Sequence, residues 1–288
     1  MLFIEYAVNE KGGRLILVTS DTIAVPNSPE QAYQLYRNAA SAVFLAGAQG
    51  LKYKKDHYDL VVDLSNAGLR YIRDTGDEVA IGAMTTLADL EKSPVMQSIA
   101  GGAVCRCVRD IRNSDEKKAT IGGIVAVKAP FSVVLPVLMS LRVDVVLEGK
   151  GRMNLVDYIP CPPMREMISQ IIIAKEEVYT AFAAYRKLPT DEPYLTGAVA
   201  ALDDEWRIVV GGRPGVAAIA ETASAELTEK GMAVRENVAH LASEELEFSN
   251  YGTCSEKERR SLTIDMVRNL IKEAWKGRSR QLQKAMKK

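Results

Sequence analysis

Two short glycine loops set the first constraint on how this chain can fold. The apolar run AVFL at 42–45 leads straight into LAGAQGL (Leu45–Leu51), and a second loop, ATIGG, occupies Ala119–Gly123. A strand-like run that ends in a glycine loop, with a helix before it, describes an α/β unit, whose ligands sit at the carboxyl ends of the strands. Glycine lets backbone approach a ligand closely, and successive amides form an anion-binding nest. Neither G-x-G-x-x-G nor G-x-x-x-x-G-K-[ST] occurs, so a Rossmann fingerprint and a P-loop are both excluded. Two such loops facing each other could grip a pyrophosphate from both sides. Either loop taken alone reads equally well as a simple turn.

The rest of the chain supplies units of the same kind. FIEYAV and RLILVTS flank NEKGG and predict a hairpin over residues 1–23. In NSPEQAYQLYRNAA, Ser28 is an N-cap, Pro29 suits the first helical position and Gln31 completes a capping box. From Leu60 short apolar runs (LVVDL, LRYI, VAIGA) surround a helix-like stretch near Leu87–Lys92. SVVLPVLMSL and VDVVLEG then read as a helix and a buried strand, and ISQIIIA closes this part. A second section starts near Val178, with strands VYTAFAAY, LTGAVAAL and RIVVGG and helices over Ile219–Lys230 and Val234–Ser243. A last helix begins with a Ser255/Glu258 capping box and lines Leu262, Met266, Leu270 and Ala274 along one face. Its tail, from Lys272 to Lys288, carries seven Lys/Arg residues against one Glu. That bias fits a solvated helix end facing the macrodipole, or docking to an acidic partner.

Composition removes several function classes. The 288 residues carry equal numbers of acidic and basic side chains, which argues against a nucleic-acid surface or a polybasic membrane patch. No basic segment followed by an apolar run opens the chain, and no stretch reaches the roughly 18 apolar residues of a membrane span, so a soluble cytoplasmic protein is expected. Cys105, Cys107, Cys161 and Cys254 match neither zinc nor ferredoxin spacing and read as free thiols. His57 and His240 stand apart from any Ser or Cys signature, which leaves a triad hydrolase nothing to build on.

LAGAQGL, DLVVDLSNAGLRYI, VAIGAMTTLADLEKSP, IRN and ATIGG occur in an order that resembles the FAD-binding subunits of molybdenum hydroxylases, the group that includes the medium subunits of xanthine dehydrogenase and carbon monoxide dehydrogenase. The resemblance covers roughly Val25 to Trp275, and SVVLPVLMSL followed by DYIPCP is similar to the selenate-reductase-associated branch. It implies an α+β fold. An FAD-binding domain of the vanillyl-alcohol-oxidase type, with two α/β subdomains, would span 24–176 after an N-terminal hairpin extension at 1–23. A C-terminal α+β domain over 177–288 would hold a three-stranded antiparallel sheet, helices and the basic helical tail. It also implies that Leu45, Ala46, Gly47, Ala48, Gln49, Gly50 and Leu51 form one pyrophosphate loop, and that Ala119, Thr120, Gly122 and Gly123 belong to the second. Lys187, in AYRKLP, matches a lysine near the flavin, and a solvated strand-end lysine is the other reading.

The chain departs from that family at four places. Ala48 stands where the second glycine is usual, and Gly50 where Asp or Ser is usual. Ile124 follows TIGG in place of Asn, and Val133 replaces the Asp of a P-x-S-D segment. SDEKK also lengthens the link between IRN and ATIGG. Backbone donors do not depend on these side chains, so weakened but real FAD binding is expected. The resemblance then implies one subunit of a larger oxidoreductase, with an iron–sulfur subunit and a molybdopterin-binding subunit as partners and FAD carrying electrons to an acceptor. A flavin-free structural subunit with a degenerate site is the alternative. No catalytic acid, base or nucleophile stands out, as expected where the cofactor carries the chemistry.

Overall fold

The computed structural model describes residues 2–8, 14–47, 56–203, 205–252 and 254–285. The first layer is a four-stranded sheet in the order β1-β2-β4-β3, from β1 (Leu2–Val8), β2 (Arg14–Ala24), β3 (Ala42–Leu45) and β4 (His57–Asp63). β1 pairs antiparallel with β2, while β2, β4 and β3 run parallel, so both long connections must cross the sheet. One connection carries α1 (Pro29–Asn38), which packs on β3 and β4 and buries Ala32 and Tyr33. Ser28 Oγ accepts the Gln31 amide at 3.2 Å, as the sequence predicts. The Gln31 side chain, however, accepts from the Asn27 amide at 2.9 Å, one residue further back than a capping box requires.

The second layer is an antiparallel five-stranded sheet in the order β5-β6-β9-β7-β8: β5 (Ile72–Asp74), β6 (Glu78–Gly82), β7 (Val143–Leu147), β8 (Gly151–Asn154) and β9 (Ile168–Ala174). Between β6 and β7 the chain forms α2 (Leu87–Lys92), α3 (Pro94–Ser98), α4 (Ala103–Asp110), α5 (Ile121–Val127) and α6 (Val134–Ser140), and α7 (Leu155–Tyr158) follows β8. α3 and α4 have no counterpart in the sequence reading. Gly101 and Gly102, both left-handed, separate them and interrupt the pattern that would have shown one helix.

The C-terminal part is an antiparallel sheet of β10 (Tyr179–Tyr185), β11 (Leu195–Ala201), β12 (Trp206–Gly211) and the two-residue β13 (Ala218–Ile219). The three long strands are those the sequence predicts, with β13 added at the edge. All seven residues of β11 are buried because α6 packs against it as well as α10 (Glu256–Ala285). A strand covered on both faces loses its alternation and reads as one continuous small-apolar run. α8 (Glu221–Lys230) and α9 (Arg235–Glu245) complete this layer. α10 starts with the expected box: the Ser255 amide donates to Glu258 Oε2 at 2.8 Å and Glu258 N donates back to Ser255 Oγ at 3.3 Å. Its stripe of Met266, Val267, Leu270, Ile271 and Ala274 is buried. No helix among the described residues is long and apolar enough to cross a membrane.

Candidate cofactor site

The second glycine loop is held by a strip that the sequence reading left out of the site. Beyond β6 the backbone of Ala83–Thr86 runs antiparallel to Ala119–Gly122. Leu87 N donates to Ala119 O at 2.9 Å, Ile121 N to Thr85 O at 2.9 Å and Gly122 N to Ala83 O at 3.0 Å. Thr120 then caps α5, its Oγ1 accepting from Gly123 N at 3.2 Å, while Ile124 N donates to Thr120 O at 3.0 Å. The first four amides of α5 are thus used inside the chain, and the turn before the helix is what remains for a ligand. Thr120 is 3% exposed, and its own amide donates to no described residue.

That amide lies beside Gly47, the last described residue of the first loop. A Cβ built on Gly47 would lie 2.5 Å from Lys118 O, 2.9 Å from Thr120 N and 3.0 Å from Ala119 Cα, distances at which no side chain fits. Gly47 therefore lies against the Lys118–Thr120 backbone, and the fold brings together two loops that are far apart in sequence. Leu45 closes β3 in the core and Ala46 is partly buried beside Gly47. Ala48, Gln49, Gly50 and Leu51 lie outside the described residues.

The two glycines of TIGG do different things. A Cβ on Gly122 would sit 2.6 Å from Ala83 Cβ and 2.9 Å from Ala83 O, so this position exists to let α5 lie flat on the strip. A Cβ on Gly123 would meet only the Thr120 hydroxyl, at 2.9 Å, and is otherwise open. The strip is itself anchored. Thr86 and Asp89 form a reciprocal capping box at 3.0 and 3.1 Å. Arg70 grips Asp89 through two 2.9 Å hydrogen bonds, which lower its carboxyl to about 2 against the opposing effect of burial. The box escaped the sequence reading because an Asp fills the place where Glu or Gln is the usual signal.

The departures Ile124 and Val133 have a structural explanation. Ile124 packs against the main core, and Val133 is a member of it at 7% exposure. Lys187 lies two residues beyond β10, exposed, on the wall of a cleft of about 160 Å³ that it shares with Phe131, Glu192, Tyr251 and Arg259. The Phe131 and Tyr251 rings are 5.0 Å apart there. Glu192 is held above the usual carboxylate range by burial and then by the charge of Glu116, which opens the turn leading into Ala119.

These features can be set beside known proteins. Residues 19–176 match a family model described as the FAD-binding domain in molybdopterin dehydrogenase. The protein YgfM of Escherichia coli (strain K12) is 32% identical over 197 residues, covering 65% of this chain and 72% of that protein. In fold the chain is similar to one from quinoline 2-oxidoreductase of Pseudomonas putida 86, with a TM-score of 0.79 at 19% identity over 89% of this chain and 97% of that one. A chain of carbon monoxide dehydrogenase from Hydrogenophaga pseudoflava gives a TM-score of 0.78 at 22% identity, covering 89% and 97%. A chain of reconstituted CO dehydrogenase from Oligotropha carboxidovorans gives 0.77 at 22% identity, covering 88% and 96%.

Proposed function

The chain belongs to the family of FAD-binding domains found in molybdopterin dehydrogenases, and from that premise we propose that it is the flavin subunit of a multi-subunit molybdenum-dependent oxidoreductase, partnered by an iron–sulfur and a molybdopterin-binding subunit. The observation that carries this reading is the contact between Gly47 and the Lys118–Thr120 backbone, which places beside the first loop a Thr120 amide that donates to no described residue. Two backbones laid side by side, with no side chain between them and a buried amide that no described residue accepts from, suit a phosphate at their rim, whose oxygens accept from backbone N–H groups. Bound FAD would supply the redox chemistry, taking electrons from one partner and passing them to an acceptor.

The protein's own part is to bind and to orient. Gly47 and Thr120 would face the pyrophosphate, the open side of Gly123 would leave approach to it unobstructed, and Gly122 would fix α5 on the Ala83–Thr86 strip. Ile124 and Val133 are accounted for by core packing, so their apolar character does not count as a mark of a flavin-free scaffold. The test is the visible spectrum of freshly purified protein, with the released cofactor identified after denaturation. One FAD per chain is the expected result. A colourless protein that also fails to take up added FAD would overturn the reading.

A further inference from the structure

We propose that the C-terminal half of α10 is a docking surface for an acidic face of another protein subunit. Lys272, Lys276 and Arg280 are exposed and follow one another at i, i+4 spacing, so they form one row on the helix. Among the described residues none of the three has an ion pair. Among the described residues many other cations are engaged: Arg152 lies between Glu78 and Asp144, Arg186 pairs with Asp110 at 2.6 Å, and Arg207 with Glu205 at 2.6 Å. Like charges at this spacing repel, and carboxylates from outside would turn that repulsion into attraction.

The macrodipole does not account for the row. Its influence is confined to about the last turn, whereas α10 continues to Ala285 and Lys272 and Lys276 lie roughly two to four turns before that end. Beside them is Trp275, one turn from Lys272 and 47% exposed. Its ring stacks on buried Trp206 at 6.4 Å and 22°. On its other side Arg278 is tied to Asp203 O at 3.1 Å, and below it Gly277 seats the helix on Tyr179. An exposed Trp held against its own fold, with arginines nearby, is of the residue types enriched at interface hot spots. The apolar stripe of α10 is already buried in the C-terminal core, so among the described side chains of the helix Trp275 is the one exposed large apolar group, which argues against a lipid surface. This surface is independent of the flavin site and stands whether or not FAD is bound.

The experiment isolates the full-length tagged chain from the cell that makes it, together with its assembly, and treats it with a water-soluble carbodiimide, which joins amines to carboxylates in contact. Lys272 and Lys276 should be recovered cross-linked to Asp or Glu of a second polypeptide. Those links should vanish in about 1 M salt, where the screening length falls to about 3 Å. The triple variant Lys272→Gln/Lys276→Gln/Arg280→Gln should retain that polypeptide about tenfold less well. Lys272→Arg/Lys276→Arg should keep it while losing the cross-links, and Trp275→Ala should lose it by a similar factor. Melting curves confirm that each variant is folded. Links only within the chain, no links at these lysines, or a Gln variant that keeps its partner would overturn the proposal. Charge-dependent binding to anionic phospholipid vesicles or to a short DNA duplex would overturn it too, by reassigning the surface.

Discussion

At Gly47 an added methyl would press on the Lys118 carbonyl from 2.5 Å, so Gly47→Ala has to part the two loops. Overpacking of this kind costs about 1–3 kcal/mol. If that falls on the ligand-bound geometry, FAD affinity drops about five- to 150-fold. Gly122→Ala meets Ala83 at 2.6 Å inside the packed layer, so its cost should appear in stability, as a lower urea midpoint. Flavin titration and urea unfolding of both variants check this division. Equal loss of affinity in the two would mean that TIGG contacts the ligand through Gly122 as well. The sequence shows the loops but not this division of labour, because Gly122 and Gly123 are identical in the chain and differ only in what a long-range neighbour puts opposite them. Ile124 teaches the same lesson from the other side. Its apolar character suggests a lost cofactor contact when judged against a family pattern, and core packing when judged against its surroundings. Ile124→Asn should therefore lower stability by about 1–3 kcal/mol, since an amide is turned toward apolar neighbours, and chemical denaturation reads that directly.

The element that positions the site is the α2 corner, and its stability should depend on acid. Asp89 accepts from the Thr86 amide and from Arg70, so its folded-state carboxyl is depressed to about 2 against about 3.9 unfolded. A depressed carboxylate stabilises the fold fully above its unfolded value, and that contribution is lost as pH falls through the folded value. The corner should hold from neutral pH down to about pH 4 and weaken between there and about pH 2. Asp89→Asn should lower the melting temperature at neutral pH, by about 1 kcal/mol in stability for a weakened cap, and the gap to the parent should close near pH 2. A gap that persists unchanged at that pH would mean that Arg70 and Asp89 contribute nothing through charge. Elements whose signals are local were legible: Ser28, the Ser255/Glu258 box and the stripe of α10 sit within a few residues of what they specify. The placing of β9 between β6 and β7 was not, since ISQIIIA carries no mark of which strands it will join.

At the scale of the whole molecule, the two parts expected from the sequence share one core. Ala198, Ala200, Leu202 and Val209 of the C-terminal sheet region belong to the same buried cluster as Val79, Ile81, Leu135 and Leu138. α6 is the joint: all seven of its residues are buried, and it packs on β11 and β12 from one side and α4 from the other. Hydrogen bonds and an ion pair close the seam, with Gly212 N donating to Pro130 O at 2.7 Å, Arg207 to Leu141 O at 2.9 Å and Arg186 paired to Asp110 at 2.6 Å. A chain cut after residue 176 would expose the far side of α6 and leave the Leu141 and Pro130 carbonyls without these partners. Residues 1–176 alone should therefore lack a sharp thermal transition and bind a hydrophobic dye, while the full chain unfolds in one step. Leu135→Ala in the full chain tests the same idea without truncation. A cavity at the joint should cost about 2–5 kcal/mol and lower the single transition as a whole. If the C-terminal part instead melted separately, with the flavin-binding part unaffected, the shared core would not act as one cooperative unit. The cleft between Phe131 and Tyr251, whose walls come from both parts, would then be free to open and close.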